Sequence, residues 1–182
     1  MLLFAALAFF AFAQAAVARN GAQSAADAAA LAAAQDARDT LVLDLGDAIG
    51  TDANWLDWLD LQGDGAPPTA GSEAAAQQLA ADNDSALVGF GRPDVDGHPG
   101  FWAKVQTNYT VGDSIIPTTE GRHAQAEATA VIQPRCDFDL EADPTKPVEL
   151  VCGGEPVNID PEDFDPDDLP DASVMFSVHL AK

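Results

Sequence analysis

MLLFAALAFFAFAQAAVARNGAQSAADAAALAAAQDAR, residues Met1 to Arg38, is the stretch on which the reading of the whole chain turns. The first 18 positions are apolar except for Gln14, and the next 20 are rich in alanine, with no proline and one glycine, Gly21. Alanine has the highest helix propensity because it loses no side-chain entropy on ordering. The segment therefore predicts one continuous helix, roughly 57 Å long at about 1.5 Å per residue. It is expected to end or bend near Asp39 and Thr40, with Gly46 and Gly50 breaking whatever follows.

The two halves of this helix ask for different surroundings. The first is apolar on every side, unlike an ordinary surface helix, and about 18 to 20 residues suffice to cross a bilayer core. Four environments would suit it: a cleaved leader, a membrane anchor, the core of a globular domain, or the interior of a polymer. Ala11-Phe12-Ala13 offers a small-x-small cleavage site, but no basic run precedes the apolar stretch as a leader requires. Leu2, Leu3, Phe4, Leu7, Phe9, Phe10, Phe12 and Val17 have no evident partner within the chain, and so call for lipid or neighbouring subunits. The second half presents Ala22, Ala26, Ala30 and Ala34 at four-residue spacing, small side chains that let backbones approach closely. Gln23, Asp27 and Arg38 add a narrow polar stripe. In a packed bundle Asp27 would need a partner, and Arg19 of a neighbouring copy is the expected one.

At 182 residues, one compact domain plus the helix is the natural organisation: residues 1–38 as helix and 39–182 as an acidic, β-rich head. The formal charge is −22, from 30 acidic and 8 basic residues. It excludes DNA or RNA as partners, because phosphate binding needs lysine and arginine, and it opposes docking on anionic lipid. Such a charge suits a solvated surface, a salty medium or the binding of cations. Cys136 and Cys152 are the two cysteines. Two thiols alone make a poor zinc site, and in an exported protein they favour a disulfide, which would close the loop between two strands.

Beyond the helix, Thr51 or Asp52 can cap a short helix running to Leu61, with Trp55, Leu56, Trp58 and Leu59 on its apolar side. Ser72 can cap a second, Glu73 to Asp82. Residues 63–71 and 92–100 read as glycine- and proline-rich loops. Strands follow from period-two alternation at 86–91, 101–111 and 123–134, and again at 148–152 and 174–180. The alanines alternating along 124–130 imply that something lies close against that face, the long helix being the candidate. Together these elements give an α+β fold: a long N-terminal helix, short helices, and an antiparallel sheet of about four strands packed on the helix. Residues 137–171, acidic and rich in proline, are expected as an exposed strap apart from the strand at 148–152.

No G-x-S-x-G, Walker loop or H-E-x-x-H is present. Gly112-Asp113-Ser114-Ile115 is similar to the nucleophile block of one group of serine esterases, but the late histidine, His179, falls inside a strand, and the block reads better as a turn. His98, His123 and His179 are scattered. Asn108-Tyr109-Thr110 fits the short glycosylation sequon. Asp160, Glu162, Asp163, Asp165 and Asp167 alternate as carboxylates do in hard-cation loops, but the central glycine and terminal glutamate of a calcium loop are missing. Diffuse screening by cations, with calcium the specific alternative, is the expectation there. Trp55 and Trp58 could stack on sugar rings or anchor the head core.

The run Arg19-Asn20-Gly21-Ala22-Gln23-Ser24-Ala25-Ala26-Asp27 and its alanine continuation, after an apolar helix, resembles the N-terminal region of TadE/TadG-like pilus proteins. These are the tight-adherence (Flp-type) branch of the type IV pilin superfamily, and the actinobacterial members are the most similar. VGDSIIP, HAQAEATAVIQPRC and the late FSVHL also resemble the longer members. Two features depart from the family: no basic leader precedes the apolar run, and Ala5 stands where type IV pilins commonly carry glutamate. The resemblance implies a non-catalytic subunit without a cofactor. It would be held in the membrane before assembly, handled by pilus assembly machinery, and then polymerised with copies of itself into an extracellular helical filament. Leu3, Phe4, Leu7, Phe9, Phe10, Phe12, Val17, Arg19, Ala22, Ala26, Asp27 and Ala30 would be the assembly residues. A membrane-anchored minor pilin or assembly factor, and an anchored sugar-binding module or enzyme, are the alternatives.

Overall fold

The computed structural model describes residues 2–61, 67, 70–110 and 121–182, with the side chains of 2–8 and 10–12 outside that description. Helix α1 spans Leu2–Ala48 and is followed by the short α2 (Trp55–Leu59) and by α3 (Ser72–Asp82). The strands are β1 (Ser85–Gly91), β2 (Asp94–Val95), β3 (His98–Thr110), β4 (His123–Pro134), β5 (Cys136–Asp137), β6 (Val148–Cys152) and β7 (Glu155–Ile159). A four-residue helix, α4 (Ala172–Met175), leads into β8 (Phe176–Leu180). The main sheet is antiparallel in the order β1-β3-β4-β8, with β2 folded back on β3, and β5-β6-β7 form a second, smaller sheet. The fold is α+β, a long N-terminal helix followed by an antiparallel sheet with short helices.

Helix α1 runs ten residues past Arg38. Gly46 does not break it; the helix ends at Ala48, and Gly50 takes the left-handed conformation (φ +79°) that commonly follows a helix C-terminus. From Ala22 onward α1 is the centre of the core. Ala22, Ala26, Ala30 and Ala34 form one buried ridge, and Ala25, Ala29, Ala33, Ala37, Leu41 and Leu45 the ridge beside it. The helix lies against β3, β4 and β8, and against α3. The short side chains let helix and sheet backbones approach. On the sheet side, Phe101, Ala103 and Val105 of β3 and Ala130 and Ile132 of β4 complete the core. Fully burying each large apolar side chain here contributes on the order of 1.5–3 kcal/mol.

Helix α3 runs antiparallel to α1. Its first residue, Ser72, sits beside Asp36, whose Oδ2 accepts from the serine hydroxyl at 3.4 Å. At its other end the turn at Asp84 accepts from Asn108 N–H at 2.8 Å, and the neighbouring Tyr109 hydroxyl lies against Gly21. Ser72 is therefore inside the helix and not its cap. That position belongs to Gly71, and the Asp36 carboxylate stands where a Cβ on Gly71 would be (2.8 Å). An anion from another helix thus complements the positive end of α3.

Two tight hairpins appear where loops were expected. Asp96 (φ +54°) and Gly97 (φ +83°) join β2 to β3, and Gly153 (φ +60°) and Gly154 (φ +93°) join β6 to β7. Positive φ at both central residues is the type I′ turn, whose twist matches that of paired strands. Pro156 is accommodated in β7 because that strand lies at an edge of the small sheet. The acidic segment that follows is docked, not free. Phe164 and Leu169 pack on the core, Pro166 and Leu169 lie over Gly46, and the Pro161 carbonyl lies over Gly50. Cys136 and Cys152 are joined in a disulfide, with Cα atoms 4.0 Å apart, across paired β5 and β6.

Candidate assembly site

Helix α1 leaves the head at Ala18. That residue is 2 % exposed and is the first buried position of the helix among the described residues; before it, Ala13, Ala15 and Ala16 are exposed, Phe9 is 76 % exposed and Val17 68 %. The part of α1 before it, Leu2 to Val17, is about 24 Å long at 1.5 Å per residue, and forms a stem on the head. Single exposed apolar residues are ordinary on protein surfaces, but a run of them along one helix marks a face that requires a partner. Among the described residues no helix is long and apolar enough to cross a membrane. The expectation of a bilayer span, and the parts assigned to Leu3, Phe4, Leu7, Phe10 and Phe12, rest on side chains outside the described residues.

The structure separates the remaining assembly residues into two groups. Phe9 and Val17 are exposed on the stem, and Arg19 is exposed where the helix enters the head. Ala22, Ala26 and Ala30 are fully buried against the chain's own head. Their assignment to contacts between copies is corrected: the small-residue ridge is used up within one subunit, where it seats the helix on the sheet. Asp27 is half-buried, and its Oδ1 accepts from Gln23 Nε2 at 2.8 Å, within the same helix. Gln23 Nε2 also reaches the Glu127 carbonyl at 3.5 Å, which ties the base of the stem to β4. Arg19 makes no ion pair among the described residues.

The other candidates fall apart as sites. Trp55 is fully buried and its indole N–H donates to the Pro144 carbonyl at 2.8 Å, so it offers no face to a sugar. Trp58 is half-buried and packs on the same core. The carboxylates of Asp160 and Asp165 accept from the backbone N–H groups of Glu162 and Asp167, two residues on, as local turns. Glu162, Asp163, Asp165 and Asp167 are exposed, and no group of three or more potential metal-binding side chains is gathered among the described residues. Gly112-Asp113-Ser114-Ile115 lies outside the described residues. His123 donates from Nδ1 to the Thr107 carbonyl at 2.7 Å, closing the β3–β4 ladder beside the stem.

Electrostatically the molecule is divided. Residues 1–38 hold Arg19 and Arg38 against Asp27 and Asp36, so the whole formal charge of −22 resides on 39–182. Two ion pairs occur among the described residues, Arg38–Asp39 (2.7 Å) and Lys146–Asp143 (2.8 Å). Hydrogen bonds from Lys146 and Thr145 hold the exposed Asp143 carboxyl well below the usual aspartate range, and the same bond raises Lys146.

A family model described as Putative Flp pilus-assembly TadE/G-like matches residues 1–36, the stem and the alanine part of the buried ridges as far as Ala34. The match supports the family resemblance read from the residues. Comparison with curated proteins and with solved structures gives no match.

Proposed function

We propose that this chain is a non-catalytic, pilin-like structural subunit, which polymerises into a cell-surface filament through its N-terminal stem. The observation that carries this reading is the stem itself: a helix continuous with the core of the head, on which Phe9, Ala13, Ala15, Ala16 and Val17 are exposed. The TadE/G-like match over residues 1–36 supports a place in pilus assembly. On this reading, lipid surrounds the stem before assembly and neighbouring subunits surround it afterwards, because each exclusion of a large apolar side chain from water is worth roughly 1.5–3 kcal/mol. Residues 18–182 form the acidic, solvent-facing head. Cations screen the carboxylates between Asp160 and Asp171 diffusely, without a fixed calcium ion.

The test is to image producing cells with an antibody raised against the head. Label spaced regularly along surface filaments is expected. Label confined to filament bases or to the cell envelope would replace this reading with that of a minor pilin or assembly factor anchored in the membrane.

A further inference from the structure

Five asparagines occur in the chain, and two of them, Asn83 and Asn108, are followed two positions on by Ser85 and Thr110 with no proline between. Asn-x-Ser/Thr is the acceptor pattern for an N-linked glycan, provided that amide and hydroxyl can both be reached. The fold treats the two triplets oppositely, although they are neighbours: Asn108 N–H donates to the Asp84 carbonyl at 2.8 Å. Asn83 caps the C-terminus of α3. Its Nδ2 donates to the Leu79 carbonyl at 2.8 Å, and Asp84 turns the chain at φ +50°. Ser85 is 1 % exposed, with its hydroxyl donated to the Asn83 carbonyl at 3.1 Å. Amide and hydroxyl are thus both engaged within the head. Asn108, Tyr109 and Thr110, in contrast, are all exposed at the end of β3. There the β3–β4 register slips between Gln106 and Thr110. Thr107 holds the irregularity, its Oγ1 accepting from Ala124 N–H at 3.1 Å and donating to the Tyr109 carbonyl at 2.7 Å. Thr107 also continues the buried side of β3 after Phe101, Ala103 and Val105, and the Tyr109 hydroxyl lies against Gly21 of α1. Alternation along the strand then puts Asn108 and Thr110 together on the opposite, solvent side. Bulges commonly re-aim a side chain in this way.

We propose that Asn108 is a site of N-linked glycosylation and that Asn83 is not. The co-reactant is a lipid-linked oligosaccharide, activated as a phosphate ester at its anomeric carbon. Asn108 Nδ2 forms the new bond to that carbon, the bond from the carbon to the phosphate oxygen breaks, and the amide proton leaves with the lipid phosphate. No oxidant or reductant is involved. The Thr110 hydroxyl, on the same side of the strand, completes the acceptor that the transferring enzyme recognises. The proposal rests on export of the chain, which the filament reading entails. Because Asn108 faces away from α1, the sugar leaves the seat of the helix and the stem uncovered. It adds bulk and hydration to the sheet face beside the base of the stem.

Peptide mapping by mass spectrometry of the full-length chain from producing cells tests this. Tryptic cleavage after Lys104 and Arg122 releases residues 105–122 as one peptide, and cleavage after Arg38 and Arg92 releases Asn83 on another. The expected result is a saccharide mass on the first, placed on Asn108 by fragmentation, and none on the second. Thr110→Ser should keep the increment, whereas Thr110→Val and Asn108→Gln should each remove it, with the circular dichroism of the head unchanged. Sugar on Asn83 or on a hydroxyl in place of Asn108, or an increment that survives Thr110→Val, would overturn the assignment. A bare Asn108 in chains taken from surface filaments would overturn it too and leave the filament reading standing. Sugar on Asn108 of chains confined to the cell envelope would keep the site and overturn the filament reading, and bare chains confined there would overturn both.

Discussion

Gly46 and Gly50 are four residues apart and respond oppositely to the same change. A Cβ on Gly46 meets Pro166 Cβ at 3.6 Å and Leu169 Cδ1 at 3.7 Å, ordinary contacts inside a helix. Gly46→Ala should thus stabilise by up to about 1 kcal/mol through helix propensity. A Cβ on Gly50 would sit 2.7 Å from the Pro161 carbonyl oxygen, on a backbone at φ +79°. Gly50→Ala should cost at least roughly 1–2 kcal/mol, the penalty for a left-handed non-glycine residue. Denaturant unfolding of the two variants checks both signs. From the sequence alone the two glycines look alike as breakers. The difference comes from the chain after each: Asp47 and Ala48 continue the helical hydrogen bonding, whereas the segment at Pro161 closes over Gly50. The turn at Asp143 gives a second check at this scale. Its depressed carboxyl makes its contribution present at neutral pH, and the contribution is lost in acid below the ordinary aspartate range. The raised Lys146 keeps its own until pH passes above the ordinary lysine range. An NMR titration should find the Asp143 midpoint below the ordinary aspartate range; a midpoint within or above that range would contradict the turn.

Among the elements, α1 carries the main lesson about what its sequence reveals. Its helical character as far as Arg38 and the α+β class were legible, because alanine runs and period-two alternation report local preference directly; its continuation to Ala48 was not. The alternating alanines of β4 also pointed to a close neighbour. What escaped was which surface the alanine ridge of α1 meets, since Ala22, Ala26 and Ala30 suit a second helix as well as a sheet. Their burial in the head changes the expected phenotype. Ala30→Trp should unfold the head, where a purely intersubunit ridge would tolerate it. The milder Ala30→Leu should cost about 1–3 kcal/mol by overpacking, measured by thermal unfolding. The Asp96-Gly97 and Gly153-Gly154 pairs carry a hairpin signal, but Pro93, Pro99 and Pro156 beside them give the same stretches the composition of loops. The β5–β6 disulfide closes a loop of sequence separation 16. Its removal by Cys136→Ser with Cys152→Ser should lower stability by about 3 kcal/mol on the chain-entropy account. Free thiols in intact, non-reduced protein would contradict that staple.

At the scale of the whole molecule, a neutral stem is joined to a head bearing the full charge of −22. Self-repulsion on this scale lowers stability and opposes close packing of heads, and salt screens it over about 10 Å at 0.1 M. Stability and assembly should both rise between low and moderate ionic strength, followed by unfolding and by light scattering; assembly that falls with added salt would place the attraction in ion pairs instead. The acidic composition made the repulsion legible, but not the docking of the acidic segment over the C-terminal end of α1, where the Pro161 carbonyl lies over Gly50 and Pro166 and Leu169 over Gly46. The central claim is that the head folds around α1 from Ala18 onward while the stem before it serves assembly. Residues 18–37 must therefore stay if the head is to be studied alone. Sedimentation velocity of a chain lacking residues 1–16, with circular dichroism as the check on folding, tests this most directly. The account predicts a folded monomer that no longer forms filaments; an unfolded product, or a truncated chain that still assembles into the native filament, would contradict it.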